Sequence, residues 1–204
     1  MPGHLIALVG TSSVGKSSVA GELQGRLAGP HLAVGLDHFF SMFPSRWTGN
    51  PGGSGFWYED TVDTDGRPRA QIRYGDAGRR LLDGQRAAVR ALLDTGNDIV
   101  LDEMPVDRTI LPAWRQGLSG YRTWWVRLVA PLAVVEEREA YRTHGRHLGN
   151  ARGHLDIADG EPFDLTVDTS ARSPAEIAET ILAAFDLASA PAAPEPSTPG
   201  PAPA

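Results

Sequence analysis

The residues with the plainest chemical signature lie near the start. Gly10-Thr11-Ser12-Ser13-Val14-Gly15-Lys16-Ser17, followed by Ser18, matches G-x-x-x-x-G-K-[ST] in full. In such a loop the glycines let successive backbone N–H groups converge on phosphate oxygens. Lysine neutralises the β- and γ-phosphates, and the next hydroxyl ligates Mg²⁺. Gly10 to Ser18 are therefore expected to hold ATP, with Lys16 acting on the transferring phosphate and Ser17 on Mg²⁺. Lys16 is the one lysine among 19 basic residues. A guanine-reading Asn-Lys-x-Asp motif would need another, so a GTPase switch is disfavoured.

Carboxylates and arginines complete the set. Asp102 ends the apolar run Ile99-Val100-Leu101, the position from which P-loop proteins hold Mg²⁺. Glu103 adjoins it and is expected to share that role or to face the acceptor. Asp37 ends the run His31–Leu36, and ligands of open α/β sheets bind outside the carboxyl ends of the strands. Asp37 is thus placed to take a proton from an attacking hydroxyl, with His38 as a competitor. Capping the following loop is the plainer alternative for these carboxylates. Arg138, Arg142 and Arg146 recur every four residues around the end of a helix expected over Leu132–Arg142. Their guanidinium forks suit charge developing on a transferring phosphoryl group. His144, His147 and His154 lack a carboxylate set at ligand spacing and do not argue for a metal. Phe39, Phe40, Met42, Phe43, Trp47, Phe56, Trp57 and Tyr58, with His38 before them, give an aromatic stretch suited to an apolar or ring-bearing acceptor.

The elements that must position these residues follow from hydrophobic pattern. Leu5–Val9 reads as a buried strand and Lys16–Leu27 as a helix with Val19, Leu23 and Leu27 on one face. Further strands are expected at His31–Leu36, Ile99–Leu101, Trp124–Val129 and Leu165–Val167. A long amphipathic helix runs through Leu81, Leu82, Gln85, Val89, Leu92 and Leu93. A last helix opens on Ser173-Pro174-Ala175-Glu176, a capping box with proline at its first position. Strands alternating with helices predict an α/β fold with a five-stranded parallel sheet covered on both faces. Two irregular segments interrupt it, 38–75 as a substrate segment, with a hairpin turn at Asp65-Gly66, and 143–163 as a lid.

The chain has 204 residues, 41% of them hydrophobic and 22% charged, which excludes wholesale disorder. Residues 1–187 are expected to form one domain, and the Pro/Ala-rich stretch 188–204 a disordered tail. A net charge of −6 argues against nucleic acid or an anionic membrane as partner. No apolar run is long enough to cross a bilayer and no basic leader is visible, so a cytoplasmic location is expected. Without cysteine there is no thiolate nucleophile or Cys-ligated zinc.

The P-loop, Gly35-Leu36-Asp37, Leu101-Asp102-Glu103, Glu137-Arg138-Glu139 and Asp164-Leu165-Thr166-Val167-Asp168-Thr169 together resemble the chloramphenicol phosphotransferase family. These are P-loop kinases similar in fold to shikimate and adenylylsulfate kinases. The resemblance runs from about His4 to Leu187. It implies transfer of the ATP γ-phosphate to a hydroxyl of a small antibiotic, with Asp37 as general base and the lid arginines clamping the phosphoryl group. Asp168 to Pro174, Thr169 included, would lie near adenine. His38 and Phe39 after the aspartate and an aromatic 41–60 loop depart from the family's usual pattern, and bear on the acceptor rather than on phosphoryl transfer. The implied partners are ATP and a small-molecule acceptor, with self-association left open. A metabolite or nucleoside kinase, and a nucleotide-binding regulatory module without turnover, are the other readings.

Overall fold

The computed structural model describes residues 1–143, 145 and 147–187. The expectations for Arg146 and for the tail 188–204 fall outside the described residues. Five parallel strands form the central sheet in the order β2-β5-β1-β6-β7: β1 (Leu5–Val9), β2 (His31–Gly35), β5 (Asp98–Glu103), β6 (Thr123–Val129) and β7 (Leu165–Asp168). β1 is central and wholly buried, as its unbroken apolar run requires of a strand covered on both faces. Its side chains alternate between two cores. Leu5, Ala7 and Val9 pack with the long helix α3 (Asp76–Asp94) and with α4 (Ile110–Gly117). Ile6 and Leu8 pack with α1 (Lys16–Arg26), α5 (Leu132–Ala140) and α7 (Pro174–Ala184). The result is three layers, helix on sheet on helix.

α3 buries Leu82, Gln85, Val89 and Leu93 on one stripe, and each fully buried aliphatic side chain contributes about 1.5–3 kcal/mol. α7 begins as its sequence dictates: Ser173 Oγ accepts from Glu176 N at 3.3 Å, and Glu176 Oε2 accepts from Ser173 N at 2.7 Å.

Segment 38–75 is more ordered than its glycine content suggests. α2 (Leu36–Ser41) follows β2 directly, and a hairpin of β3 (Phe56–Val62) and β4 (Pro68–Tyr74) turns at Gly66, which has φ 79°. The short helix α6 (Asn150–Gly153) lies against β4. The contact depends on glycine, because a Cβ at Gly153 would sit 1.8 Å from Ala70 O.

Candidate active site

After β1 the chain turns through the glycine-rich loop into α1. Ser13 at φ 61° and Gly15 at φ 104° both occupy left-handed backbone, which only glycine adopts freely. Gly10 is needed for close approach, since a Cβ there would lie 2.6 Å from Leu128 O and 2.8 Å from Val14 Cγ1. Its N–H donates to Glu103 O at 3.3 Å, and Thr11 Oγ1 donates to Ala151 O at 2.6 Å. Gly10 and Thr11 thus brace the loop, while Ser12 to Ser18 line a cavity of about 960 Å³.

Lys16, at 7% exposure, donates from Nζ to Thr11 O at 2.9 Å and lies 3.8 Å from Asp102 Oδ1. Burial lowers its pKa, against the opposing pull of Asp102, Glu103 and Asp37. Ser17 Oγ donates to Asp102 Oδ2 at 2.5 Å. This hydroxyl and carboxylate are neighbouring hard-oxygen donors beside the phosphate loop, the chemistry that Mg²⁺ takes.

Asp37 and Asp102 line the same cavity. Asp37 does not end β2, which stops at Gly35; it sits exposed in the first turn of α2. Gly35 N donates to His38 Nδ1 at 2.9 Å, so that ring nitrogen is engaged as an acceptor at the start of the helix. Asp37 acts electrostatically on both Lys16 and Tyr58, whose hydroxyl pKa is raised first by burial and next by Asp37.

The arginines divide. α5 stops at Ala140, short of the expected Arg142, so Arg138 and Arg142 do not share a helical face. Arg138 donates to Thr169 O at 2.6 Å and Thr169 Oγ1 at 3.0 Å, and Thr169 Oγ1 donates to Val14 O at 2.8 Å. That chain of bonds fastens the end of β7 to the phosphate loop. Arg142 instead reaches Ser12 Oγ at 3.2 Å, and both arginines line the cavity.

The 143–163 segment, expected as an irregular lid, contains a buried, docked portion. The Glu139 carboxylate accepts from Gly149 N at 2.7 Å and Ala151 N at 2.8 Å. Ala70 N donates to Gly149 O at 2.9 Å, and Ile72 N to His154 Nε2 at 3.2 Å. His147 stacks on Tyr58 at 3.6 Å between centroids and bonds Asp60 Oδ1 at 2.6 Å.

Of the residues expected at the acceptor, His38 and Phe40 line the cavity, whereas Phe39, Phe43, Trp57 and Glu103 do not. Phe43 packs edge-on against Phe56. Trp57 alternates with Phe56 and Tyr58 on a strand and so faces away from them. Glu103, at 1% exposure, lies on the opposite face from Asp102 and accepts from Trp114 Nε1 at 2.9 Å. Tyr58, part of the expected aromatic stretch, lines the cavity as well, and residues missed from the sequence include Ile72, Met104 and Asn150, which also line it. The alternation Phe56/Tyr58 against Ala70/Ile72 around the hairpin turn was the available signal. Ser13 Oγ and Asn150 Oδ1 are buried in the lining without a protein partner among the described residues, and a bound ligand would satisfy such atoms.

The family described as chloramphenicol phosphotransferase-like protein matches residues 3–186. A Mycobacterium tuberculosis protein named "Putative O-phosphotransferase" is 27% identical over 182 residues, covering 88% of this chain and 80% of the relative. A sugar kinase of a Janibacter species superposes with a TM-score of 0.64 at 17% identity, covering 92% of this chain and 96% of the other. The M. tuberculosis adenylylsulfate (APS) kinase gives 0.60 at 17% identity, over 91% and 98%. At these identities the structural likeness establishes the fold, that of the P-loop kinases.

Proposed function

The chain belongs to the chloramphenicol phosphotransferase-like family and is a kinase-type phosphotransferase; we propose that it moves the γ-phosphate of ATP to a hydroxyl of a small, largely apolar antibiotic, with Asp37 as general base. The observation that carries this reading is a single cavity lined by Lys16, Ser17, Asp102 and Asp37. Donor phosphates and an acceptor proton can both be handled within it. Ser17 and Asp102 would hold Mg²⁺, which when bound offsets charge on the phosphate oxygens. Lys16 neutralises the phosphates, and Arg142, reaching the loop at Ser12, adds a second cation where charge develops.

Asp37 is exposed and its carboxylate can accept a proton from the acceptor hydroxyl. His38 is less suited, because its Nδ1 already accepts from Gly35. The acceptor side favours an antibiotic-like molecule over an anionic metabolite. Leu36, Phe40, Tyr58, Ile72 and Met104 supply an apolar and aromatic wall, and α2 and the hairpin add no arginine or lysine to the lining among the described residues. Recognition of an acidic acceptor would call for one.

Asp37→Asn is expected to lower turnover by about 10²–10⁴-fold, the usual worth of a positioned base, with ATP affinity nearly unchanged. Mass spectrometry of Mg-ATP incubations with chloramphenicol, nucleoside antibiotics and common metabolites would identify the acceptor. Near-normal turnover by Asp37→Asn would remove that residue from the mechanism. Phosphate appearing on metabolites alone would replace the antibiotic reading with that of a housekeeping kinase.

A further inference from the structure

The amino-terminal edge of the sheet, opposite the phosphate loop, carries a second cluster of chemically able groups. β2, β5 and β1 lie side by side, and the residues that open them converge. His31 begins β2 in register with Asp98, which begins β5, and His4 directly precedes β1. His4 Nδ1 lies 2.8 Å from Asp98 Oδ1, and His31 Nδ1 lies 2.9 Å from Gly29 O. A carboxylate and a carbonyl accept only, so each ring donates from Nδ1. With both rings neutral, the two remaining nitrogens, His4 Nε2 and His31 Nε2, carry lone pairs, and they face each other at 3.0 Å. Lone pairs at that separation repel unless a proton or a metal ion lies between them.

We propose that His4 Nε2 and His31 Nε2 jointly ligate one divalent transition-metal ion of the zinc class, with water completing the shell and Asp98 orienting His4. The arrangement of the far ring nitrogens is the one metal-binding histidines use: the second N–H is given to a carboxylate or carbonyl, which fixes the tautomer and strengthens the ligand. Two nitrogens about 2.0–2.1 Å from one tetrahedral zinc ion stand about 3.3 Å apart, so binding asks for a few tenths of an ångström of opening. His31 is buried, whereas the His4 side chain is 29% exposed, leaving a way in for an ion.

The surroundings also select the ion. Arg122 stacks over Trp124, whose ring meets His4 edge-on, and adds positive charge nearby. That charge works against Ca²⁺ or Mg²⁺, which need several oxygen ligands, and less against an ion held by imidazole. Such an ion would tie the openings of β1 and β2 together across β5, far along the sheet from the phosphate loop.

The test titrates zinc chloride alone into the metal-free, nucleotide-free full chain near neutral pH, followed by calorimetry and thermal melting. One equivalent is expected to bind at a site containing both histidines. At 100-fold excess over its Kd the Tm should rise by about 5–10 °C. His4→Gln and His31→Gln are expected to lose that equivalent, and Asp98→Asn to bind about 10–100-fold more weakly. Circular dichroism checks that the variants fold; His4 is part-exposed, so His4→Gln carries the test if His31→Gln does not fold. No zinc uptake by the wild-type chain overturns the proposal and leaves the rings sharing a proton. Uptake unchanged in His4→Gln overturns it equally.

Discussion

Two adjacent carboxylates in β5 have different fates because a strand sends successive side chains to opposite faces. Asp102 meets Ser17 and Lys16, whereas Glu103 is sealed beneath Trp114. Burial, the largest influence on Glu103, raises its pKa from 4.5 to about 7. The folded chain therefore holds this proton more tightly than the unfolded chain. The resulting stabilisation is complete below about pH 4.5 and is lost as pH rises through about 7. A shift of that size corresponds to about 3 kcal/mol. Glu103→Gln can still accept from Trp114 and is expected to abolish this dependence in metal- and nucleotide-free protein. Urea unfolding of both proteins across pH checks it, and parallel stability curves would contradict it. At this scale the phosphate loop was fully legible, because its ligands are consecutive in sequence. The face on which Glu103 lies was not, because a boundary placed at Leu101 leaves the strand's last two residues unassigned to either side.

Among the elements, the decisive arrangement is the hairpin β3–β4 seated on α6. Gly153 permits the approach, Glu139 holds the start of α6, and His154 joins it to β4. His154 Nδ1 donates to Asn150 O at 2.9 Å, so Nε2 must stay unprotonated to accept from Ile72 N. Burial is the largest influence on His154 and lowers its pKa below 6.5. The contribution to stability is present above about pH 6.5 and is lost as pH falls through the folded pKa. Hydrogen exchange corrected for intrinsic rates is expected to show β4 amides opening more readily in mild acid while β1 stays protected. In His154→Gln that pH response should be absent; an equal response in both would place the effect elsewhere. Buried strands such as Leu5–Val9 were readable because parallel strands covered on both faces are unbroken apolar runs. α4 was not, being eight residues long with Pro112 in its first turn, where proline is tolerated. Tyr58, Ile72 and Asn150 reach the cavity only through the docking of hairpin on α6, a contact between segments about 80 residues apart, as His154 and Ile72 show. The alternation around the hairpin turn marks which face is apolar, but no local pattern encodes what that face meets.

Taken whole, the molecule keeps its two chemistries at opposite edges of one sheet. The carboxyl edge gathers the phosphate loop, Asp102 and the start of α2, while the amino edge gathers His4, His31 and Asp98. Occupancy of either edge can therefore be altered by substitution without touching the other. The ε-amine of Lys16 belongs to the first edge, buried and with its pKa lowered, and it is the sole ε-amine in 204 residues. An acyl-phosphate derivative of ATP should therefore acylate one side chain and no other. The intact mass would step up once per filled site, and competing nucleotide would erase the step. Apart from the α-amino group, every molecule of this protein thus offers a single address for amine chemistry, which turns covalent labelling into a direct census of nucleotide occupancy.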